Sequence, residues 1–131
     1  MVKTAVILAA GLGSRLRPYT EKHPKGFLCI NEDTDSLIEM SINALIENGI
    51  QKIFIGTGYK AKFYKALEDK LEVVTCVHNG NFQNTGSLAT LMEIYPLLKD
   101  QDILLLESDI LFDPSGIREL INHKKPNIIL A

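Results

Sequence analysis

The sequence predicts an α/β domain in which a mostly parallel β-sheet carries helices on its faces. Short continuous apolar runs recur along the chain: TAVILA at 4–9, KIFIG at 52–56, EVVTCV at 72–77 and DILLLES at 102–108. Stretches with apolar residues at helical spacing separate them. Each gap has room for one helix and its turns, which is what crossovers between parallel strands require. Apolar residues make up 46% of the 131 residues, enough to pack one core, and the length suits one domain rather than two.

Each element has a local reason. Thr4–Ala9 is apolar without alternation, the pattern of a strand covered on both faces. Leu37, Ile38, Ile42, Leu45 and Ile46 mark one face of a helix over 37–48. Ser36 stands at its N-cap with Glu39 at the capping-box position, and Gly49 stops it. Lys52–Gly56 reads as the next strand. Phe63, Ala66, Leu67 and Leu71 then outline one face of a second helix. Glu72–Val77 is a strand, and Ser87–Leu98 a helix weakened where Pro96 enters its last turn. Asp102–Ser108 is another buried strand. Asp113–Pro114 supplies an N-cap and a first helical proline to a helix ending near Asn122. Asn127–Ala131 (NIILA) reads as the start of one more strand. The chain is therefore expected to stop inside a strand and to be a piece of a longer product, truncated at its C-terminus.

Composition excludes several classes. Fourteen Lys and Arg against sixteen Asp and Glu give a net charge of −2, without the basic excess of a nucleic-acid binder. No apolar run reaches membrane-spanning length, and the N-terminus lacks the regions of a signal peptide. Cys29 and Cys76 form no metal-ligand spacing and read as reduced thiols, which points to a cytoplasmic protein. His23, His78 and His123 share no ligand spacing and read as structural or surface residues.

The chemistry concentrates in LAAGLGSRLRP, Leu8–Pro18, where two glycines follow a buried strand. Such turns present backbone N–H groups to phosphate. The triphosphatase loop G-x-x-x-x-G-K-[ST] is absent, because no Gly-Lys pair lies near the first strand. The dinucleotide fingerprint is absent too, because Leu16 stands where its third glycine belongs. Asp33 lies where a ribose-binding acid would be, but Pro18 and Pro24 forbid the helix that should connect it. What remains is a glycine loop with Leu16 to anchor it to the core, Arg15 behind it and Lys25 on a proline-punctuated excursion. Arg15 offers a planar fork for two phosphate oxygens, while Lys25 is a point charge whose chain is fixed by Pro24. Asp109 follows a buried apolar run, at the sheet edge where open α/β sheets bind ligands. Singly, each has a plainer reading: a strand-to-helix turn, a solvated arginine, an exposed lysine, a strand-terminating aspartate. Asp113 is sufficiently explained as a helix cap, and Glu107 is either a partner of Asp109 or outward-facing.

Taken together, Leu8-Ala9-Ala10-Gly11-Leu12-Gly13-Ser14-Arg15-Leu16 with Pro18, Thr20 and Pro24-Lys25 resembles the N-terminal signature of the nucleotidyltransferase superfamily. NALIENGIQKIFIGTGY at 43–59, NGNFQNTGSLATL at 79–91 and LLLESDILF at 104–112 are similar to the segments that follow in that family. The resemblance implies a Rossmann-like sheet with helices on both faces, of the nucleotide-diphospho-sugar transferase type. Residues 1–131 would be the N-terminal, nucleotide-binding part of a single such domain.

Asn81, Thr85 and Ser87-Leu88, with Glu107-Ser108-Asp109, lean toward the cytidylyltransferases acting on phosphocholine or 2-aminoethylphosphonate. The implied reaction is CMP transfer from CTP to a small amine-bearing phosphate or phosphonate, with pyrophosphate released. A sugar 1-phosphate with UTP or dTTP is the alternative, and a non-catalytic nucleotide-binding domain an alternative of another class. By the resemblance, backbone of Leu8, Ala9, Ala10, Gly11 and Gly13 cradles the nucleotide, and Arg15 binds the leaving pyrophosphate. Lys25 sits between the α-phosphate and the attacking oxygen. Gln83, Thr85, Gly86 and Ser87 read base and sugar, and Asp109 ligates Mg2+. Tyr59 and Asn79 are candidates for the acceptor pocket. Some relatives in this branch are fused to an aminotransferase or mutase of phosphonate metabolism, an arrangement the resemblance allows here.

Overall fold

The computed structural model describes residues 1–130. Eight regular elements alternate: β1 (Thr4–Ala9), α1 (Leu37–Glu47), β2 (Lys52–Thr57), α2 (Ala61–Lys70), β3 (Val74–His78), α3 (Ser87–Ile94), β4 (Ile103–Glu107) and α4 (Pro114–Asn122). The strands form one sheet in the order β3-β2-β1-β4, and every neighbouring pair is parallel. All six residues of β1 are buried, as its unbroken apolar run requires.

The pleat of β1 divides the core. Ala5, Ile7 and Ala9 pack with Ile38, Ile42 and Leu45 of α1, Tyr64 and Leu67 of α2, and Ile117 of α4. Val6 and Leu8 point to the other face, against Ile94 of α3 and Leu98. Helices thus cover both faces, and each fully buried aliphatic side chain contributes about 1.5–3 kcal/mol. Parallel pairing also aligns the strand ends, with Ala9 opposite Thr57, Thr57 opposite His78 and Leu8 opposite Glu107. The loops that follow all four strands therefore open onto one edge of the sheet.

Caps fall where the sequence puts them. The Ser36 hydroxyl accepts from Glu39 N–H while the Glu39 carboxylate reaches back to Ser36. Asp113 accepts from Ser115 N–H at 2.9 Å, and Gly49 ends α1 with φ of 88°. Other expectations need correction. Residues 127–130 form no strand: Asn127 has φ of 56°, and Leu130 lies against Gly116 of α4 instead of pairing with the sheet. Ala131, the last residue of that expected strand, lies outside the described residues. The strand expected at 72–77 begins at Val74, after a turn. Residues 87–98 are not one helix, because Pro96 has no N–H to donate and a tight 3-10 turn over Tyr95–Leu97 follows α3. Ile46 lies largely outside the buried face of α1. On α2 the buried face is centred on Tyr64 and Leu67, while Ala66 is exposed. No helix among the described residues is long and apolar enough to cross a membrane.

Candidate active site

β1 delivers the chain to the sheet edge, and the glycine loop turns there. Ala10 carbonyl accepts from Tyr59 N–H at 3.1 Å, tying the loop's start to the end of β2. Gly13 adopts φ of 63°, a left-handed conformation that favours glycine. A Cβ on Gly13 would lie 2.8 Å from the Thr20 methyl. Thr20 is fully buried; its hydroxyl donates to Gly13 carbonyl at 2.7 Å, and its own carbonyl accepts from the Tyr59 hydroxyl at 2.7 Å. The loop is thus held by Thr20 and Tyr59. Leu16 does not anchor it: that side chain is exposed, because the tight turn over Ser14–Leu16 buries none of its residues. Arg15 stands exposed on the same turn and makes no hydrogen bond or ion pair with a described residue.

Behind the loop, buried Pro24 leads in an extended conformation into the tight turn Lys25–Phe27. This brings Lys25 Nζ to 3.2 Å from Asp109 Oδ2. Lys25 Nζ also lies 3.7 Å from where a Cβ on Gly11 would be, so the ammonium rests over the glycine loop. Asp109 is set by its neighbour: Ser108 is fully buried and its N–H donates to Leu8 carbonyl at 3.1 Å, extending the β1–β4 ladder past β4. Side-chain exposures of 22% and 32% leave both charges reachable from solvent. An ion pair this accessible contributes at most about 1 kcal/mol to stability. Its chemical meaning lies in placing a cation and a carboxylate together at the ligand edge of the sheet.

The third wall is the segment after β3. Gln83, Thr85, Gly86 and Ser87 are all exposed at its rim. Asn79 is not a pocket-lining residue, because it is 3% exposed and spent on internal bonds. Its amide donates to Thr85 Oγ1 at 2.9 Å and to Thr90 Oγ1 at 3.1 Å, and its carbonyl oxygen accepts from Asn81 N–H at 3.0 Å. Asn79 therefore braces the rim from below. Tyr59 likewise directs its hydroxyl to the glycine loop. Gly58 brings this wall to the first one: a Cβ there would sit 2.5 Å from Phe82 Cβ and 2.8 Å from Ala10 carbonyl oxygen.

The structure thus unites the glycine loop, Lys25 and Asp109, with Ala10 and Phe82 meeting at Gly58. The side chains of Leu8, Ala9 and Ala10 are buried in the sheet, so only their backbone is available to a ligand, and the Leu8 carbonyl already accepts from Ser108. Glu107 is exposed, with no hydrogen bond or ion pair among the described residues. His78 Nδ1 lies 3.3 Å from Thr57 Oγ1, and His123 Nδ1 accepts from Lys125 N–H. The site is an open edge. Two shallow surface depressions lie elsewhere, along α4 at Arg118 and Asn122 and between α1 and residues 110–114.

Among the described residues, no three His, Cys, Asp or Glu cluster as metal ligands. Mg2+ does not require such a cage, since it is held by one or two carboxylates together with substrate phosphates and waters. The accessible Asp109 carboxylate fits that pattern as a single hard oxygen ligand. Sequence reading missed Thr20 as the clamp on Gly13, Ser108, Tyr64 and the Gly58–Phe82 contact. Apart from Thr20, seven positions from Gly13, these contacts join distant segments, and none follows a regular spacing that local pattern could signal.

Residues 4–128 match the model of the nucleotidyl transferase family. The 2-aminoethylphosphonate cytidylyltransferase of Lancefieldella rimae is 28% identical over 113 residues, covering 86% of this chain and 45% of that protein. A UTP–glucose-1-phosphate uridylyltransferase of Haloferax volcanii is 29% identical over 110 residues, covering 83% of this chain and 44% of that protein. Among solved structures, the CTP:phosphocholine cytidylyltransferase of Streptococcus pneumoniae superposes with a TM-score of 0.72 at 33% identity, over 86% of this chain and 48% of that one. The chain spans about half the length of these relatives. With the signature loop, the parallel sheet and the match over 4–128 in agreement, the chain belongs to the nucleotidyl transferase family.

Proposed function

We propose that the protein containing this chain transfers CMP from CTP to a small amine-bearing phosphate or phosphonate, such as 2-aminoethylphosphonate or phosphocholine, and releases pyrophosphate. The observation that supports it best is the Lys25–Asp109 pair at 3.2 Å, lying over Gly11 at the C-terminal edge of the sheet. In this reading the chain is the N-terminal, nucleotide-binding part of a single domain. The cytidylyltransferase relatives support CTP, and the uridylyltransferase relative keeps a sugar 1-phosphate with UTP as the alternative.

An acceptor oxygen attacks the α-phosphorus, forming a new P–O bond as the bond to the bridging oxygen breaks and pyrophosphate departs. Both reactants are anions, so the chain's task is to position them and neutralise charge. Backbone N–H groups of the loop through Gly11 and Gly13 hold the phosphates close, since neither glycine has a side chain in the way. Arg15 swings from its exposed turn onto the leaving pyrophosphate, where a guanidinium can bond two oxygens at once. Lys25 leaves Asp109 for the α-phosphate and the incoming oxygen, stabilising charge that builds in the transition state. Asp109, so released, would hold Mg2+, which supplies Lewis-acid neutralisation of the triphosphate when bound. Gln83, Thr85, Gly86 and Ser87 meet the base and ribose from the rim. A phosphate or phosphonate acceptor is already ionised near neutral pH, so the site requires no general base.

The test is pyrophosphate release by the whole protein with Mg2+. CTP, UTP, ATP, GTP and dTTP are each paired with phosphocholine, 2-aminoethylphosphonate and a sugar 1-phosphate. Release with CTP and an amine-bearing acceptor is the expected result. Release only with a sugar phosphate keeps the mechanism and overturns the substrate. Silence across the panel from folded protein overturns the reading.

A further inference from the structure

Tyr64 is the largest fully buried side chain in the molecule, and it lies directly beneath the reactive edge. Its ring packs edge-on against Phe27, with centroids 5.2 Å apart at 63°. Its hydroxyl occupies the space that a side chain on Gly26 would need: a Cβ there would fall 2.6 Å from the Tyr64 oxygen and 3.4 Å from Ser108 Cβ. Gly26 follows Lys25, and Ser108 precedes Asp109. One buried tyrosine therefore touches both backbone segments that carry the charged pair.

The hydroxyl is the telling atom. Phenylalanine would fill the same volume without placing a polar oxygen in the core, where poor pairing costs about 1–3 kcal/mol. The oxygens of Tyr64 and Ser108 are both buried, and neither completes a hydrogen bond of good geometry. Burial pushes the Tyr64 hydroxyl up to about 12, against the lowering influence of Ser108 and the Gly26 backbone, so it stays protonated at neutral pH. A buried polar group kept at such a cost calls for a reason beyond packing. Here the reason is reach: the oxygen approaches the Gly26 side-chain position to 2.6 Å, where the nearest ring carbon, Cε1, stops at 3.3 Å.

We propose that Tyr64 is a positioning residue whose buried hydroxyl, bearing on Gly26 beside Ser108, sets where the Lys25 turn stands relative to Asp109. This rests on the reading of Lys25 and Asp109 as the reactive pair. It also assigns Gly26: the turn needs glycine there because the Tyr64 oxygen takes the place of a side chain.

The test uses the whole protein as Tyr64→Phe, Gly26→Ala and the double variant. Ile42→Val, a core change in α1, is the control for lost stability. Turnover in Gly26→Ala is expected to fall by about ten- to a hundredfold, the scale of a misplacement near 1 Å, with the KM for nucleotide little changed. The double variant should recover toward the level of Tyr64→Phe, because the 2.6 Å contact is gone and the nearest remaining ring atom, Cε1 at 3.3 Å, has to give by only a few tenths of an ångström. A second readout needs no activity. With lysines 13C-dimethylated, the Lys25 resonance should move in Gly26→Ala toward its position in Asp109→Asn, and return in the double variant. Ile42→Val should lower the melting temperature and move neither readout. A Lys25 resonance unmoved in Gly26→Ala, or not restored by Tyr64→Phe, overturns the proposal. If the whole protein turns over no nucleotide, the proposed function fails, and the resonance still decides this inference.

Discussion

Gly13→Ala offers a sharp test of how the glycine loop is built. Two separate costs meet at this position. An L-residue at φ of 63° sits in the left-handed region, at roughly 1–2 kcal/mol. The new methyl would also lie 2.8 Å from the Thr20 methyl, in a contact where Thr20 is fully buried and cannot swing away. Overpacking of that kind costs about 1–3 kcal/mol. The expected total is about 2–5 kcal/mol, read from urea denaturation of the protein containing this chain. The two costs separate with a partner substitution. Thr20→Ser removes the offending methyl and keeps the hydroxyl that donates to Gly13 carbonyl at 2.7 Å. Its own cost is about 1 kcal/mol for one buried methyl. In Gly13→Ala/Thr20→Ser most of the steric part should be relieved and the left-handed part remain, giving a coupling of up to about 1–3 kcal/mol between the sites. Thr20→Val keeps the methyl and loses the hydroxyl, so it should rescue nothing. Strict additivity of Gly13→Ala and Thr20→Ser, within about 0.5 kcal/mol, would refute the clamp.

Three further outcomes follow from the site and its surroundings. Lys25→Ala should lower turnover by about a hundredfold or more while nucleotide affinity changes only a few-fold, because its charge is needed most in the transition state; steady-state kinetics with direct nucleotide binding would separate the two, and unchanged turnover would remove Lys25 from the reaction. Asp109→Asn should shift the Mg2+ titration of pyrophosphate release to higher concentration, and an unaltered titration would contradict a metal role. Glu68, on α2, is held below the usual carboxylate range first by the Lys65 ammonium and then by Cys76 N–H. A carboxylate whose folded pKa is depressed stabilises the fold above its unfolded value, near 4.5, and loses that contribution as pH falls through the folded value. Glu68→Gln should therefore be less stable than wild type at neutral pH, and the gap should close as pH falls through the depressed folded value. A gap independent of pH would show that packing of Glu68, not its charge, matters.

Local pattern determined most of the framework, because the forces that shape it act between near neighbours. The unbroken apolar run TAVILA matches a strand covered on both faces, and it forms the buried inner strand β1. Ser36 with Glu39, and Asp113 with Pro114, are helix starts wherever they occur, since their bonds close within one turn. The glycine loop, Lys25 and Asp109 were visible by residue type and order. Where local pattern misled, contacts from far along the chain had the deciding vote. The NIILA run is apolar enough for a strand, but a strand needs a hydrogen-bonding neighbour, and Leu130 rests on α4 instead. Asn79 looked like a ligand-facing residue on a loop, yet three internal hydrogen bonds claim it. Helical spacing gives a face only to within a residue or so, which is why Phe63 and Ala66 outline a face on α2 whose buried centre is Tyr64 and Leu67.

The sequence alone thus determined the class of fold, the family signature and which charged groups were available, all properties written in residue type and short spacing. Only the tertiary structure decided that Lys25 and Asp109, 84 positions apart, meet at 3.2 Å, that Thr20 clamps Gly13, and that Tyr64 lies against the Gly26 turn beside Ser108. Those distances come from parallel strand pairing, which gathers the loops at one edge, and from core packing, which sets how far each loop can reach. Neither is a property of any stretch of sequence taken by itself.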